Sequence, residues 1–188
     1  RLTGEIDYYN KYTSDILYHP ELYLSMGVVG SAPENLGEVR NRGVEFTLNW
    51  NDRIGKDFTY RVGFNLSDSQ AKITKYDLNP DGNIGDHYVG EKIGEIWGFV
   101  TDGFYSTDEE AAGVDNSDIW GGKWLAGDVR YKNLNGDKTA DGKDIISKGH
   151  SKLQDPGDRK IIGNNTARYN YGISLSAEYK NFDFSCLM

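Results

Sequence analysis

Cysteine is almost absent from this chain. Cys186 stands alone among 188 residues, which excludes an internal disulfide framework and any zinc site built on thiolates, and says little about redox compartment. Positive charge is in deficit, with 21 Lys and Arg against 29 Asp and Glu for a net charge of -8. No basic cluster stands out along the sequence, so the counterion release that drives nucleic-acid binding has no obvious source. Long apolar runs are missing too: none approaches the ~20 residues a helix needs to span lipid. That absence leaves a β-barrel open, because a barrel strand needs only ~9–11 residues of alternating character. What the chain does have is 23 Gly, 13 Tyr, 7 Phe and 4 Trp, and a hydrophobic content of 37% that excludes glycine, ordinary values for a folded chain of one domain. Patterned segments occupy both ends, without an initiator methionine or a signal peptide, so we expect a piece of a longer protein. The missing signal peptide then carries no information about compartment.

Periodicity of two dominates. Val44, Phe46, Leu48 and Trp50 alternate with Glu45, Thr47, Asn49 and Asn51, and Phe58, Tyr60, Val62, Phe64 and Leu66 alternate with Thr59, Arg61, Gly63, Asn65 and Ser67. The run from Tyr169 to Lys180 repeats the pattern, Leu2 to Tyr9 is a weaker copy, and Phe182, Phe184 and Cys186 begin another. These are predicted strands at about 1–9, 43–51, 58–67, 168–180 and 182–188. Only Asp108 to Ala112 suggests a helical turn. The connections sort by length: 51–57 and 180–181 are short, whereas 10–38 and 68–167 are long and rich in Gly, Asn and Asp. Parity then puts both short turns on one side, provided 68–167 contributes an even number of spanning strands. A soluble β-sandwich or propeller would also alternate. Aromatic residues on the apolar face, Glu, Asn, Ser, Arg and Thr on the other, and loops short on one side and long on the other favour an all-β, antiparallel transmembrane barrel segment. Val44, Phe46, Leu48, Trp50, Tyr60, Val62, Phe64, Ile173 and Leu175 are then expected to face lipid. Glu45, Asn49, Arg61, Asn65, Ser174 and Glu178 are expected to face the lumen.

The segments Tyr9 to Leu17, Asn41 to Phe46, Gly94 to Tyr105, Ala126 to Tyr131 and Ile161 to Asn164 together resemble one family. In this order they are similar to the C-terminal part of the barrel of SusC/RagA-type TonB-dependent outer-membrane transporters, and the resemblance covers nearly the whole chain. It implies a location in the bacterial outer membrane, a barrel of about 22 strands and residues 1–188 as part of that one domain. It also implies a SusD-like surface lipoprotein as partner, lipid around the barrel, and TonB acting through a plug segment that lies outside this sequence. An oligosaccharide or a peptide would be the imported substrate. The chain would not be an enzyme. A soluble carbohydrate-binding β-sandwich is the alternative, and a surface adhesion repeat lacks the internal period it needs.

Residues 133–144 place oxygen ligands as a calcium loop would, with Asn133, Asn135, Asp137, Asp141 and Asp144 at positions 1, 3, 5, 9 and 12 and the Thr139 carbonyl at position 7. Position 6 is Lys138 where such a loop wants Gly, and Asp144 is shorter than the usual bidentate Glu. The resembling family often carries a fuller version here, and an Asx-rich turn is the competing reading. Residues 77–84 match only half of the pattern and read as a Pro/Asn/Gly turn. In the long region 68–167, expected to be extracellular, Trp97, Phe99, Phe104, Tyr105, Trp120 and Trp124 are candidates for contact with substrate or partner. His19, His87 and His150 are widely separated, and no catalytic arrangement follows from spacing.

Overall fold

The alternating segments form long strands. The computed structural model describes residues 1–20 and 31–188. In chain order the elements are β1 (Leu2–Tyr18), β2 (Glu34–Ile54), β3 (Phe58–Tyr76), β4 (Glu95–Phe99), β5 (Thr101–Phe104), α1 (Asp108–Ala112) and β6 (Val114–Asp115). There follow β7 (Val129–Tyr131), β8 (Asp144–Ile145), β9 (Arg159–Asn164), β10 (Asn170–Tyr179) and β11 (Phe182–Leu187). β1, β2, β3, β10 and β11 make one antiparallel five-stranded sheet in that spatial order. β10 pairs directly with β3, so no strand of the intervening region joins this sheet, which keeps the parity of the short turns.

Register keeps the two predicted residue sets apart. Leu48 lies opposite Phe64 and Phe64 opposite Ile173, while Asn49 lies opposite Gly63 and Gly63 opposite Ser174. Directly opposed residues share a face, so one face is apolar and the other polar across β2, β3 and β10. At Gly63 the Ser174 hydroxyl and Asn49 carboxamide close over the backbone, and a Cβ would have to push both side chains aside. Tyr9 similarly lies against Gly43 on the polar face.

The strands are longer than the alternation. β1 continues past residue 9 to Tyr18, β2 begins at Glu34 rather than 43, and β3 runs to Tyr76 instead of ending at 67. Residues 68–76, assigned from sequence to the long loop region, belong to the sheet. The reason is physical: beyond Val44 and Leu66 the face that was apolar carries Arg40, Arg42 and Lys72, while the other mixes Asn41 and Ser69 with Val39, Ala71 and Ile73. The earlier contrast between faces is lost, yet the backbone ladder continues through Asn41 opposite Ala71. At the opposite end the connection tightens to 55–57, where Gly55 takes φ +66.

The sheet does not bury its apolar face. Among the described residues the buried apolar side chains are Ile73, Tyr76, Ile84, Tyr88, Tyr105, Ala111 and Ile146, all at the loop end. On the apolar face Ile6 is 71% exposed and Tyr171 70%. Leaving such side chains in water forgoes about 1.5–3 kcal/mol each. The sheet is also open, since β1 and β11 each have one unpaired edge.

Between β3 and β10 the chain builds a small lobe from two-stranded ribbons: β4 with β9, β5 with β7, and a parallel bridge of β6 with β8. Residues 90–93 run back along β3 and cover its free edge, with Ile73 N–H donating to the Glu91 carbonyl at 2.9 Å and Ile93 N–H to the Ala71 carbonyl at 2.9 Å. The helix α1 starts at Thr107, whose hydroxyl accepts from Glu110 N–H, and the Glu110 carboxylate in turn accepts from Ser106 N–H at 2.8 Å.

Candidate functional site

The lobe holds one cleft of about 600 Å³ where several sequence candidates meet. Its walls include Tyr131, Arg130, Lys132, Glu110, Asn133 and Asp144. Arg130 spans it, donating to Glu110 Oε1 at 2.5 Å and to the Asp102 carbonyl at 2.8 Å. Lys132 adds a second contact to Asp102, at 3.3 Å. The Ser106 backbone N–H and then Arg130 hold the Glu110 carboxyl below the usual carboxylate range.

Residues 133–144 lie beside this cleft and satisfy their own oxygens. Asn133 Oδ1 accepts from Gly136 N–H at 2.6 Å, and Asn133 Nδ2 donates to the Asp137 carbonyl at 2.7 Å. Asn135 Nδ2 donates to the Asp137 carboxylate at 2.8 Å. The Thr139 carbonyl, the expected seventh ligand, accepts from Gly142 N–H at 2.9 Å. Lys138 Nζ sits 2.9 Å from Asp144 and holds its carboxyl below the ordinary range. Asp141 takes part in none of these bonds. Among the described residues no three His, Cys, Asp or Glu side chains gather as a metal site. The half-matching segment 77–84 is a turn held by Asn79, which donates to the Asn83 and His87 carbonyls at 2.8 and 2.9 Å.

The structure sorts the aromatic candidates into two groups. Trp120, Trp124, Tyr131 and Phe99 form a continuous chain, with ring centroids 6.0, 6.4 and 5.4 Å apart along it. Its Trp120 end is 59% exposed, and Phe104 stands apart at 65%. Tyr105 is almost wholly buried at the base of the cleft, where it accepts a hydrogen bond from the buried Asn116 Nδ2 at 3.0 Å. Trp97 is likewise committed, donating at 3.1 Å to the Tyr88 hydroxyl, which itself donates at 2.6 Å to Glu95. Burial, with help from Glu95, pushes the Tyr88 hydroxyl up to about 12.

No family model matches the chain. It is 30% identical, over 98% of its length, to the TonB-dependent receptor P3 of Formosa agariphila. It is 26% identical over 98% to the TonB-dependent receptor SusC of Bacteroides thetaiotaomicron. The chain is related to the TonB-dependent receptors. It spans 18% and 17% of the lengths of these two relatives. The whole chain also superposes on 19% of a chain in the solved RagAB peptide transporter, with a TM-score of 0.63 at 20% identity, which shows a shared fold. The five-stranded sheet and its lobe thus correspond to one stretch of these much longer relatives.

Two residues important to the lobe escaped sequence reading. Asp158, fully buried, accepts from Leu134 N–H at 2.6 Å, Asn135 N–H at 3.2 Å and Ser147 N–H at 2.7 Å, tying the 133–144 loop to the strand that follows it. Tyr131 links the aromatic chain to the cleft. The alternation of Val129, Arg130 and Tyr131 is the only signal that could have found it.

Proposed function

We propose that the chain is a stretch of the barrel of an outer-membrane importer, about 22 strands in its complete form, energised by TonB through a plug outside this sequence. A SusD-like lipoprotein lid and an oligosaccharide or peptide substrate complete the reading. The observation that carries it is the sheet's exposed apolar face. It runs from Phe58 to Leu66 on β3, ends in Trp50, Tyr60 and Tyr179 on one side and Tyr8 and Tyr171 on the other, and has polar residues behind it. Its nine residues on β3 match the ~9–11 that a tilted barrel strand needs to cross the apolar band between two aromatic girdles. The soluble sandwich would need a second sheet on that face, and among the described residues none packs there.

Short turns in such barrels are periplasmic, so Gly55 to Asp57 faces inward and the lobe at residues 77–167 faces the exterior, where the Trp120 to Phe99 chain and the neighbouring cleft would meet substrate or lid. Calcium binding at 133–144 belongs to the same proposals, and an ion there would have to displace Lys138 from Asp144. Trypsin added to intact cells is the test. It should cut at the exposed Lys123 and spare Lys56, and lipoprotein binding should slow the cut; cleavage at Lys56 from outside defeats the topology.

A further inference from the structure

On the apolar face of the sheet, the two residue levels beyond the band carry cations. The β2 ladder to both neighbours is unbroken from Trp50 to Val39, so Arg42 and Arg40 project from the same face as Val44 and Phe46. Arg42 lies opposite Gln70, and Arg40 lies directly opposite Lys72. They are about 7 and 13 Å along the strand from Val44. With Val89 they line an outward-facing cleft of about 450 Å³ that no carboxylate lines. The nearest acids on this face are engaged: Asp68 pairs with Arg168, and Glu38 accepts from the Tyr12 hydroxyl. Among the described residues, Arg40, Arg42 and Lys72 form no ion pair, although the chain as a whole is acidic, with a net charge of -8.

Like charges directly opposite each other on paired strands repel. An anion between them removes that repulsion, and its place is set by what lies below: the band that faces hydrocarbon ends at Val44 and Leu66, so these side chains reach the level of lipid head groups. We propose that Arg40, Arg42 and Lys72 bind the phosphate of an anionic lipid in the outer leaflet. This rests on the transmembrane reading above. Two guanidinium groups offer the forked donors that phosphate oxygens accept, Lys72 adds a point charge, and Asn10, which accepts from Arg40 Nε at 2.8 Å, fixes one of the forks.

The test uses the full-length transporter in phosphatidylcholine nanodiscs doped with phosphatidic acid, with retained lipid counted by mass spectrometry. Wild type should retain phosphatidic acid over phosphatidylcholine. Each cation changed to Gln should weaken retention about fivefold, and Arg40→Gln/Arg42→Gln/Lys72→Gln on the order of a hundredfold. Arg42→Lys, which keeps the charge, should retain most of it. Inorganic phosphate added to the same discs should not displace the lipid; displacement would reassign the cleft to a free anion and overturn the lipid assignment. Protection of the five-stranded sheet from protease in the disc reports insertion separately. Equal retention by inserted wild type and inserted triple variant overturns the site and leaves the barrel standing, whereas failure of wild type to insert overturns both.

Discussion

Asp158 is the residue on which the lobe depends most. Its carboxylate serves three backbone N–H groups from two segments inside a closed interior, and such donors are costly to leave unmade. Asp158→Ala should destabilise the lobe by about 3 kcal/mol, read as a lower denaturant midpoint of tryptophan fluorescence; an unchanged midpoint would remove it from this role. Acid should loosen the same region. Lys138 holds the Asp144 carboxyl low, His150 does the same for Asp155, and Ser106 with Arg130 for Glu110. A carboxyl lowered in the folded state contributes stability that is present above the ordinary carboxylate range of about 4 and is lost as pH falls through the lowered value. Fluorescence should therefore be flat from neutral pH to about 5 and change only below about 4; a transition at pH 6 would contradict it. None of this was legible in sequence. Asp158 follows a Pro-Gly pair and reads as a solvated turn, and its donors come from segments 11 to 24 residues away.

At the scale of the element, β3 shows where sequence reading succeeds and where it stops. Phe58 to Ser67 alternate so strongly that both faces could be assigned, and the register of β3 with β2 and with β10 keeps those faces apart. From Asp68 onward the formerly apolar face carries Asp68, Gln70 and Lys72 and the other mixes Ser69 with Ala71 and Ile73, so the earlier contrast is lost while the ladder to β2 continues to Tyr76. The short strands β5 to β8, of two to four residues, have no period to read at all. The face assignment carries an energetic consequence. Val62→Arg, at the middle of the apolar band, should cost ~2–4 kcal/mol of barrel stability, whereas Asn65→Arg on the polar face should cost much less. Urea-induced unfolding of the full-length protein in lipid vesicles measures both, and equal costs would mean that the two faces see the same surroundings.

For the whole molecule, the separation of an exposed apolar sheet from a lobe with its own small core is what the transport reading explains. A sheet that leaves Ile6, Tyr171 and Phe184 uncovered and both edges open exposes apolar surface that the proposed barrel in lipid would cover. The lobe, by contrast, buries Tyr105, Ile146 and Asp158 within itself. The claim that lipid covers the apolar face is tested most directly by placing single spin labels along β3, from Tyr60 to Lys72, in the full-length protein reconstituted in vesicles. Collision with oxygen should exceed collision with a water-soluble relaxant at Tyr60, Val62, Phe64 and Leu66, the reverse should hold at Arg61 and Asn65, and the alternation should end by Gln70. Water contact at Val62 and Phe64 with oxygen contact at Asn65, or uniform water contact along the strand, would contradict the account.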